Sequence, residues 1–235
     1  MADDRVVFFF DIDNCLYPRS TKVLNLMSDL IDRYFERHLA LSEAEANQLH
    51  MRYYKDYGLA IEGLVRYHKV DPMEYNTQVD DALPLEDIIK PNPQLRKLLE
   101  DIDKTKVKLW LFTNAYITHG KRVVKLLDIE DLFEGITYCD YAAPTLLCKP
   151  DKDMFAKAMR EADIVDVKDC YFVDDSARNT RGAQDLGWTA VHLVEPDEPA
   201  PPQQRAAQYQ ISSLEELRGI FPQFFKKPIS NGHAR

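Results

Sequence analysis

The run Val6-Val7-Phe8-Phe9-Phe10 is apolar without a break and then stops at Asp11 and Asp13. A strand with one wet face alternates apolar and polar residues, whereas a strand covered on both faces reads as a continuous apolar run. The run therefore predicts a buried parallel strand, and parallel neighbours must be joined by long crossovers, usually helices. The chain repeats the theme. Residues 108–112 run into Thr113-Asn114, 135–138 lead towards Asp140, 170–173 run into Asp174-Asp175, and 189–194 read as a further strand. Helical patterns over 92–103, 118–127, 152–162 and 177–186 lie between them, with Gly187 where a helix should stop. The expected fold is α/β, a Rossmann-like parallel sheet with helices on both faces.

Residues 17–89 break this alternation. Val23, Met27, Leu30, Ile31, Tyr34 and Phe35 recur at helical spacing, and further helical patterns cover 42–57, 61–68 and 71–83. An all-helical block that follows the first strand reads as an insertion, and Pro91 and Pro93 mark the return to the sheet. The expected organisation is a catalytic core from 1–16 and 90–225, a helical cap from 17–89, an exposed proline-bearing loop at 195–204 and a disordered tail at 226–235.

The 235 residues carry a formal charge of −9, which disfavours nucleic acid and anionic membranes as partners. No apolar run nears the roughly 18 residues of a membrane span. The opening apolar run is also too short for a signal-peptide core. Cys15, Cys139, Cys148 and Cys170 are scattered, without zinc-site spacing, and no Asn-x-Ser/Thr acceptor occurs. The expectation is a reducing, cytoplasmic setting, with the nucleus also open. The negative total imposes a condition on any phosphate chemistry, since positive charge must then be supplied locally.

In an open parallel sheet, reactive groups gather outside the carboxyl ends of the strands. The residues that end the apolar runs are Asp11 and Asp13, Thr113 and Asn114, and Asp174 and Asp175. Carboxylates crowded at one edge are costly without a cation. Oxygen donors with no soft ligands point to Mg²⁺. Asp11 can attack phosphorus and form an aspartyl-phosphate, while Asp13, one residue beyond its neighbour Ile12, can protonate the leaving alkoxide and later activate water. Thr113 and Asn114 can donate hydrogen bonds to phosphoryl oxygens, and Lys149 supplies the missing local positive charge. Each piece alone has an ordinary structural reading as a turn, a helix cap or a solvated loop charge. Their joint occurrence, in this order and at the ends of apolar runs, carries the argument.

The segments Asp11-Ile12-Asp13-Asn14-Cys15-Leu16, Leu111-Phe112-Thr113-Asn114, Lys149-Pro150 and Phe172-Val173-Asp174-Asp175-Ser176 resemble the four motifs of the haloacid dehalogenase-like hydrolase superfamily. The likeness to fungal pyrimidine 5′-nucleotidases is closer still. It extends to Tyr53-Tyr54-Lys55-Asp56-Tyr57-Gly58-Leu59-Ala60-Ile61, Leu83-Pro84-Leu85 and Thr137-Tyr138-Cys139-Asp140-Tyr141. The resemblance implies Asp11 as nucleophile and metal ligand, Asp13 as general acid/base binding Mg²⁺ through its carbonyl, and Lys149 as the neutralising charge. It implies Asp175 as a direct metal ligand, with Asp174 and Asn179 acting from behind. Cys15 stands where many members carry threonine, beside the chemistry and not within it.

An acid two residues after the nucleophile suits a phosphoester, whose leaving alkoxide needs a proton, and disfavours halide release. The resemblance implies a small-molecule phosphate ester as substrate, with UMP or CMP foremost. Lysophosphatidic acid, a sugar phosphate or pyridoxal phosphate is the alternative, and a non-catalytic regulator on the same fold is the reading from another class. Tyr17, Tyr53, Tyr54, Tyr57, Arg66, Tyr67 and His68 are candidate contacts to a base or sugar, with Tyr57 and Arg66 foremost.

Overall fold

A computed structural model describes residues 3–196 and 205–227. Six parallel strands form a single sheet in the order β3-β2-β1-β4-β5-β6, where β1 is Val6–Phe10, β2 Val107–Phe112, β3 Gly135–Thr137, β4 Cys170–Asp174, β5 Thr189–Leu193 and β6 Tyr209–Ile211. The apolar run β1 is central, with Phe9 opposite Trp110 of β2 and Phe172 of β4. Its side chains alternate between two separate cores. Phe8 and Phe10 pack with Leu109, Val173 and Phe221, while Val7 and Phe9 pack with Phe112, Phe155, Phe172 and Trp188. Burying each of these large side chains contributes roughly 1.5–3 kcal/mol.

The helices are α1 Val23–Leu39, α2 Glu43–Tyr57, α3 Ala60–His68, α4 Pro72–Gln78, α5 Leu85–Ile88, α6 Pro93–Asp101, α7 Ile117–Leu126, α8 Lys152–Glu161, α9 Ala177–Asp185 and α10 Leu217–Ile220. Local chemistry sets several of their starts. Asn92 accepts from the Gln94 and Leu95 amides with Pro93 at the first helical position, Asp151 accepts from Asp153, and Ser176 accepts from Asn179.

Between β1 and the return at α6 lies the helical insert. α1 to α4 share a core of their own, built on Tyr34, Phe35, Tyr53, Ile61, Leu64 and Tyr75. Cys139, Tyr141, Leu146 and Cys148 join this core from the loop that follows β3. In packing terms that loop therefore serves the insert, although by chain order it falls in the range expected for the sheet domain.

Several expected boundaries shift. The pattern at 71–83 is helical only through Gln78, because the chain turns at Val79-Asp80-Asp81, where Asp81 N donates to Asn76 O. β3 stops at Thr137, and β6 was not legible, being three residues with a single polar centre. Of the expected loop at 195–204, Glu195 and Pro196 are described and 197–204 lie outside the described residues. Of the expected tail at 226–235, Lys226 and Lys227 are described and 228–235 lie outside the described residues. Lys226 is tied down, not part of a tail: Phe225 bridges Ile102 and the Lys226 amide donates to Asp101 O at 2.8 Å.

Candidate active site

All six strands point the same way, so their carboxyl ends share one edge, and residues of the insert line a cavity with it. Asp11 leaves β1 still in strand register, its amide donating to Val173 O at 3.0 Å. The chain then reverses. Asn14 adopts φ 55, a left-handed conformation that Asn tolerates better than most residues, and the Leu16 amide closes back on Ile12 O. That turn sets Asp13 beside Asp11 at the edge and lets Asn14 Nδ2 donate to Asp175 Oδ2 at 3.3 Å.

Lys149 reaches the same place from the loop before α8. Its buried ammonium donates to Asp11 Oδ1, Asp174 Oδ2 and Phe112 O, each at 2.7 Å. Burial alone would lower the lysine's pKa, but the two carboxylates outweigh it and raise it. The Asp11 carboxyl is pushed up, first by its own burial and then by the Asp174 charge, against the pull of Lys149. Asp175 is raised to about 7 by burial and by Asp174. One ammonium does not balance this many acids.

The donor set fits a hard divalent cation. Carboxylate oxygens of Asp11, Asp174 and Asp175 lie within 4.8 Å of one another, with no sulfur or imidazole among them. Asp174 is already committed to the protein, for its oxygens accept from Lys149, the Ser176 amide and Asn179 Nδ2. Asp11 and Asp175 are thus the carboxylates best placed for direct ligation, with Asp174 holding Lys149 from behind.

Asp13 has a different environment. Its Oδ1 accepts from Tyr17 OH at 2.5 Å and lies 2.7 Å from His119 Nε2. Burial pushes this carboxyl up, but the charge and hydrogen bond of His119, with Tyr17, outweigh it and hold it low. Two acids one residue apart therefore differ in character, Asp11 gripped by lysine and Asp13 by histidine.

Thr113 is buried, and its hydroxyl oxygen accepts the Ala115 amide, leaving its proton to be donated elsewhere. Asn114 lines the cleft, but its amide is spent on the Lys149 main chain, accepting from Lys149 N at 2.7 Å and donating to Lys149 O at 3.0 Å. It locks the lysine loop against the end of β2.

A cavity of about 310 Å³ opens above these residues. Its far wall comes from the insert and is largely apolar, with Leu24, Met27, Ile31, Met51, Ile61 and Tyr75. The foremost cap candidates from sequence do not reach it. Tyr57 pairs its hydroxyl with Tyr67 at 2.7 Å on the outer surface, and Arg66 bonds Glu62 at 2.6 Å and stacks over the Tyr57 ring. Tyr53 is buried in the cap core against Gly63, with its hydroxyl on His68. Helical spacing puts Tyr53 and Tyr57 on one face of α2 without revealing what that face meets. Of that group Tyr54 lines the cavity, and Tyr17 holds Asp13.

His119, Asp80, His50, Tyr141 and Arg178 were not singled out from sequence. Arg178 of α9 donates to Lys55 O at 2.8 Å, linking the sheet domain to the insert. Arg122 of α7 does the same on the other side, reaching Leu83 O at 2.9 Å and the Glu86 carboxylate. The signal available for His119 was its place in the first turn of the helix that follows Thr113-Asn114, which puts it at the reactive edge.

Known proteins place this architecture. The sequence profile of haloacid dehalogenase-like hydrolases matches residues 6–187, which takes in every motif at the edge and the whole insert. The chain belongs to this family. Phosphate metabolism protein 8 of Saccharomyces cerevisiae is 44% identical over 200 residues, covering 81% of this chain and 62% of that protein. The chain thus spans less than two thirds of this relative's length. Solved structures share the fold. An HAD phosphatase from Thermococcus onnurineus superposes with a TM-score of 0.59 at 20% identity, over 92% of this chain and 97% of the other. The HAD-hydrolase YfnB from Bacillus subtilis, solved bound to magnesium, gives 0.61 at 15% identity, over 92% and 98%. L-2-haloacid dehalogenase from Xanthobacter autotrophicus gives 0.55 at 14% identity, over 94% and 99%.

Proposed function

We propose that this haloacid dehalogenase-like hydrolase is a Mg²⁺-dependent phosphatase acting on a small phosphate monoester, with pyrimidine nucleoside 5′-monophosphates such as UMP and CMP as its substrates. One observation carries the reading. Asp13 stands beside the nucleophile Asp11 as a second, separately held acid facing the same cavity. A halide needs no proton to leave; an alkoxide does.

The phosphoryl group would rest against Thr113, whose hydroxyl has its proton free to donate, and Lys149, which also steadies Asp11. Asp11 attacks phosphorus in line with the ester oxygen, and Asp13 delivers a proton to that oxygen as its bond to phosphorus breaks. Asp13, now ionised, takes a proton from water, whose oxygen attacks the aspartyl-phosphate and restores Asp11. Mg²⁺ held by Asp11, Asp175 and the Asp13 carbonyl would neutralise phosphoryl charge and keep Asp11 ionised. The insert excludes bulk water from the cleft and contacts the leaving group.

The nucleotide assignment rests on the resemblance to fungal pyrimidine 5′-nucleotidases and on a cavity whose apolar wall suits a flat base. The 44% identical relative is named for phosphate metabolism, which accords with a phosphate ester. Four buried free cysteines accord with a reducing, cytoplasmic setting. Phosphate release should be measured across UMP, CMP, sugar phosphates, pyridoxal phosphate and lysophosphatidic acid, with Mg²⁺ and with EDTA. Turnover of UMP and CMP that EDTA abolishes is expected. Turnover of the lysophospholipid with none of UMP or CMP would overturn the nucleotide assignment, and activity that survives EDTA would overturn the metal role.

A further inference from the structure

His119 is fully buried at the start of α7 and lies 2.7 Å from Asp13 through Nε2. Tyr17, also buried, donates to the same oxygen of Asp13, Oδ1, from the other side of the turn. Both contacts converge on one oxygen; among the described residues, none of the hydrogen bonds falls on Oδ2. With both lone pairs of Oδ1 engaged, Oδ2 is the oxygen left to take up a proton whenever Asp13 carries one.

We propose that His119 is the positioning residue of the general acid, that with Tyr17 it pins Asp13 Oδ1, and that Asp13 Oδ2 is the oxygen that exchanges the proton. The proposal rests on the phosphatase reading and deepens it. In the first step an Asp11 oxygen forms the bond to phosphorus while the ester P–O bond breaks, its electron pair staying on the ester oxygen, which takes the proton from Oδ2. In the second step the water oxygen bonds phosphorus, the Asp11–phosphorus bond breaks, and a water proton returns to Oδ2. Oδ1 accepts from Nε2–H throughout, so His119 keeps one role in both halves and never itself transfers a proton.

The setting of His119 supports a fixed donor. Its Nδ1 is buried with no hydrogen-bond partner, and so is Oδ2 of Asp80 in the turn after α4. Asp80 and His119 attract each other, so the ring feels the charge of Asp80 as well as that of Asp13. The neighbouring residues of α7 grip the same turn, Thr118 through Asp81 at 2.9 Å and Arg122 through the carbonyls of Asp80, Asp81 and Leu83. The backbone that carries His119 is thereby anchored to this turn.

Two esters separate acid positioning from general damage. 4-Nitrophenyl phosphate has a leaving group that needs no proton; benzyl phosphate releases an alkoxide that does. In single-turnover phosphorylation of Asp11, His119→Leu is expected to slow benzyl phosphate ~10–100-fold and 4-nitrophenyl phosphate less than about threefold. His119→Gln, which keeps an N–H donor, should recover most of the loss. Equal losses on both esters, or Gln no better than Leu, would overturn the proposal. If His119→Leu does not fold, Tyr17→Phe keeps its ring and carries the same ester test. A crystal structure of the full chain with Tyr17→Phe and His119→Gln should retain the Asp13 rotamer, and Tyr17→Phe with His119→Leu should lose it. An Asp13 carboxyl unmoved in the latter would overturn the proposal even if the wild type cleaves neither ester, a result that would by itself sink the phosphatase reading.

Discussion

Lys149 Nζ lies 2.7 Å from Asp11 Oδ1 and, on its other side, 2.7 Å from Asp174 Oδ2, so one buried ammonium joins carboxylates from the ends of two neighbouring strands. Breaking a buried pair by removing one member leaves an uncompensated charge, which costs roughly 3–5 kcal/mol. Lys149→Met should lower unfolding free energy by about that much at neutral pH, read by urea denaturation. A loss below about 1 kcal/mol would mean that the acids are relieved in another way.

Asp11→Asn keeps an oxygen for Lys149 while removing the carboxylate proposed as nucleophile. Phosphate release should fall by about 10³-fold or more, as expected when an essential member of a catalytic unit is lost. Stability should hold, because burial and the Asp174 charge already disfavour the ionised Asp11. Circular dichroism and a thermal melt check the fold, and undiminished turnover would remove Asp11 from its role.

Gly58 closes α2 at φ 90, and a Cβ there would stand 3.1 Å from Lys149 O. Gly58→Ala therefore combines backbone strain with pressure on the main chain that Asn114 clamps. The expected cost is about 1 kcal/mol or more in stability, with kcat falling more than KM rises. Wild-type kinetics in this variant would show that the lysine loop tolerates the push.

Asp80 is buried, and its pKa is raised to about 6, by burial first, with His119 opposing. A carboxyl with a raised folded pKa contributes stability that is full below its unfolded value and lost as pH rises through the folded one. The window is therefore pH 4 to 6. Asp80→Asn should gain stability relative to the wild type across it, by at most about 3 kcal/mol at pH 8. Melting curves at pH 4.5 and pH 8 check the sign; a gap that does not grow with pH would refute it.

Asp175→Asn removes one of the two carboxylates best placed for direct ligation. Mg²⁺ at a hundred times its dissociation constant should stabilise the wild type by about 2.7 kcal/mol and the variant by much less. Equal thermal shifts in both would place the ion elsewhere.

The sheet and its reactive edge were legible in the sequence because backbone chemistry is local. A continuous apolar run such as Val6 to Phe10 can satisfy burial on both faces only inside a parallel sheet, and the residue that ends each run falls at the same edge. Asp11, Thr113 and Asp175 were found on that reasoning, and Lys149 from the need for positive charge beside them in a chain of net charge −9. Asn114 was found too, but its work on Lys149 depends on a loop 35 residues away. Tyr53 and Tyr57 lie four apart on α2, a spacing that periodicity detects, yet only the packing of α2 on α3, with Gly63 making room for Tyr53, decides that Tyr53 is buried while the Tyr57 hydroxyl meets Tyr67 at the surface. The two-donor grip on Asp13 joins residues separated by 106 positions. By itself the sequence determined the sheet, the identity of its edge residues and the presence of a helical insert, since each follows from short-range pattern. Only the tertiary structure decided what lines the cavity and what holds Asp13, because those contacts form between elements whose mutual orientation no local pattern encodes.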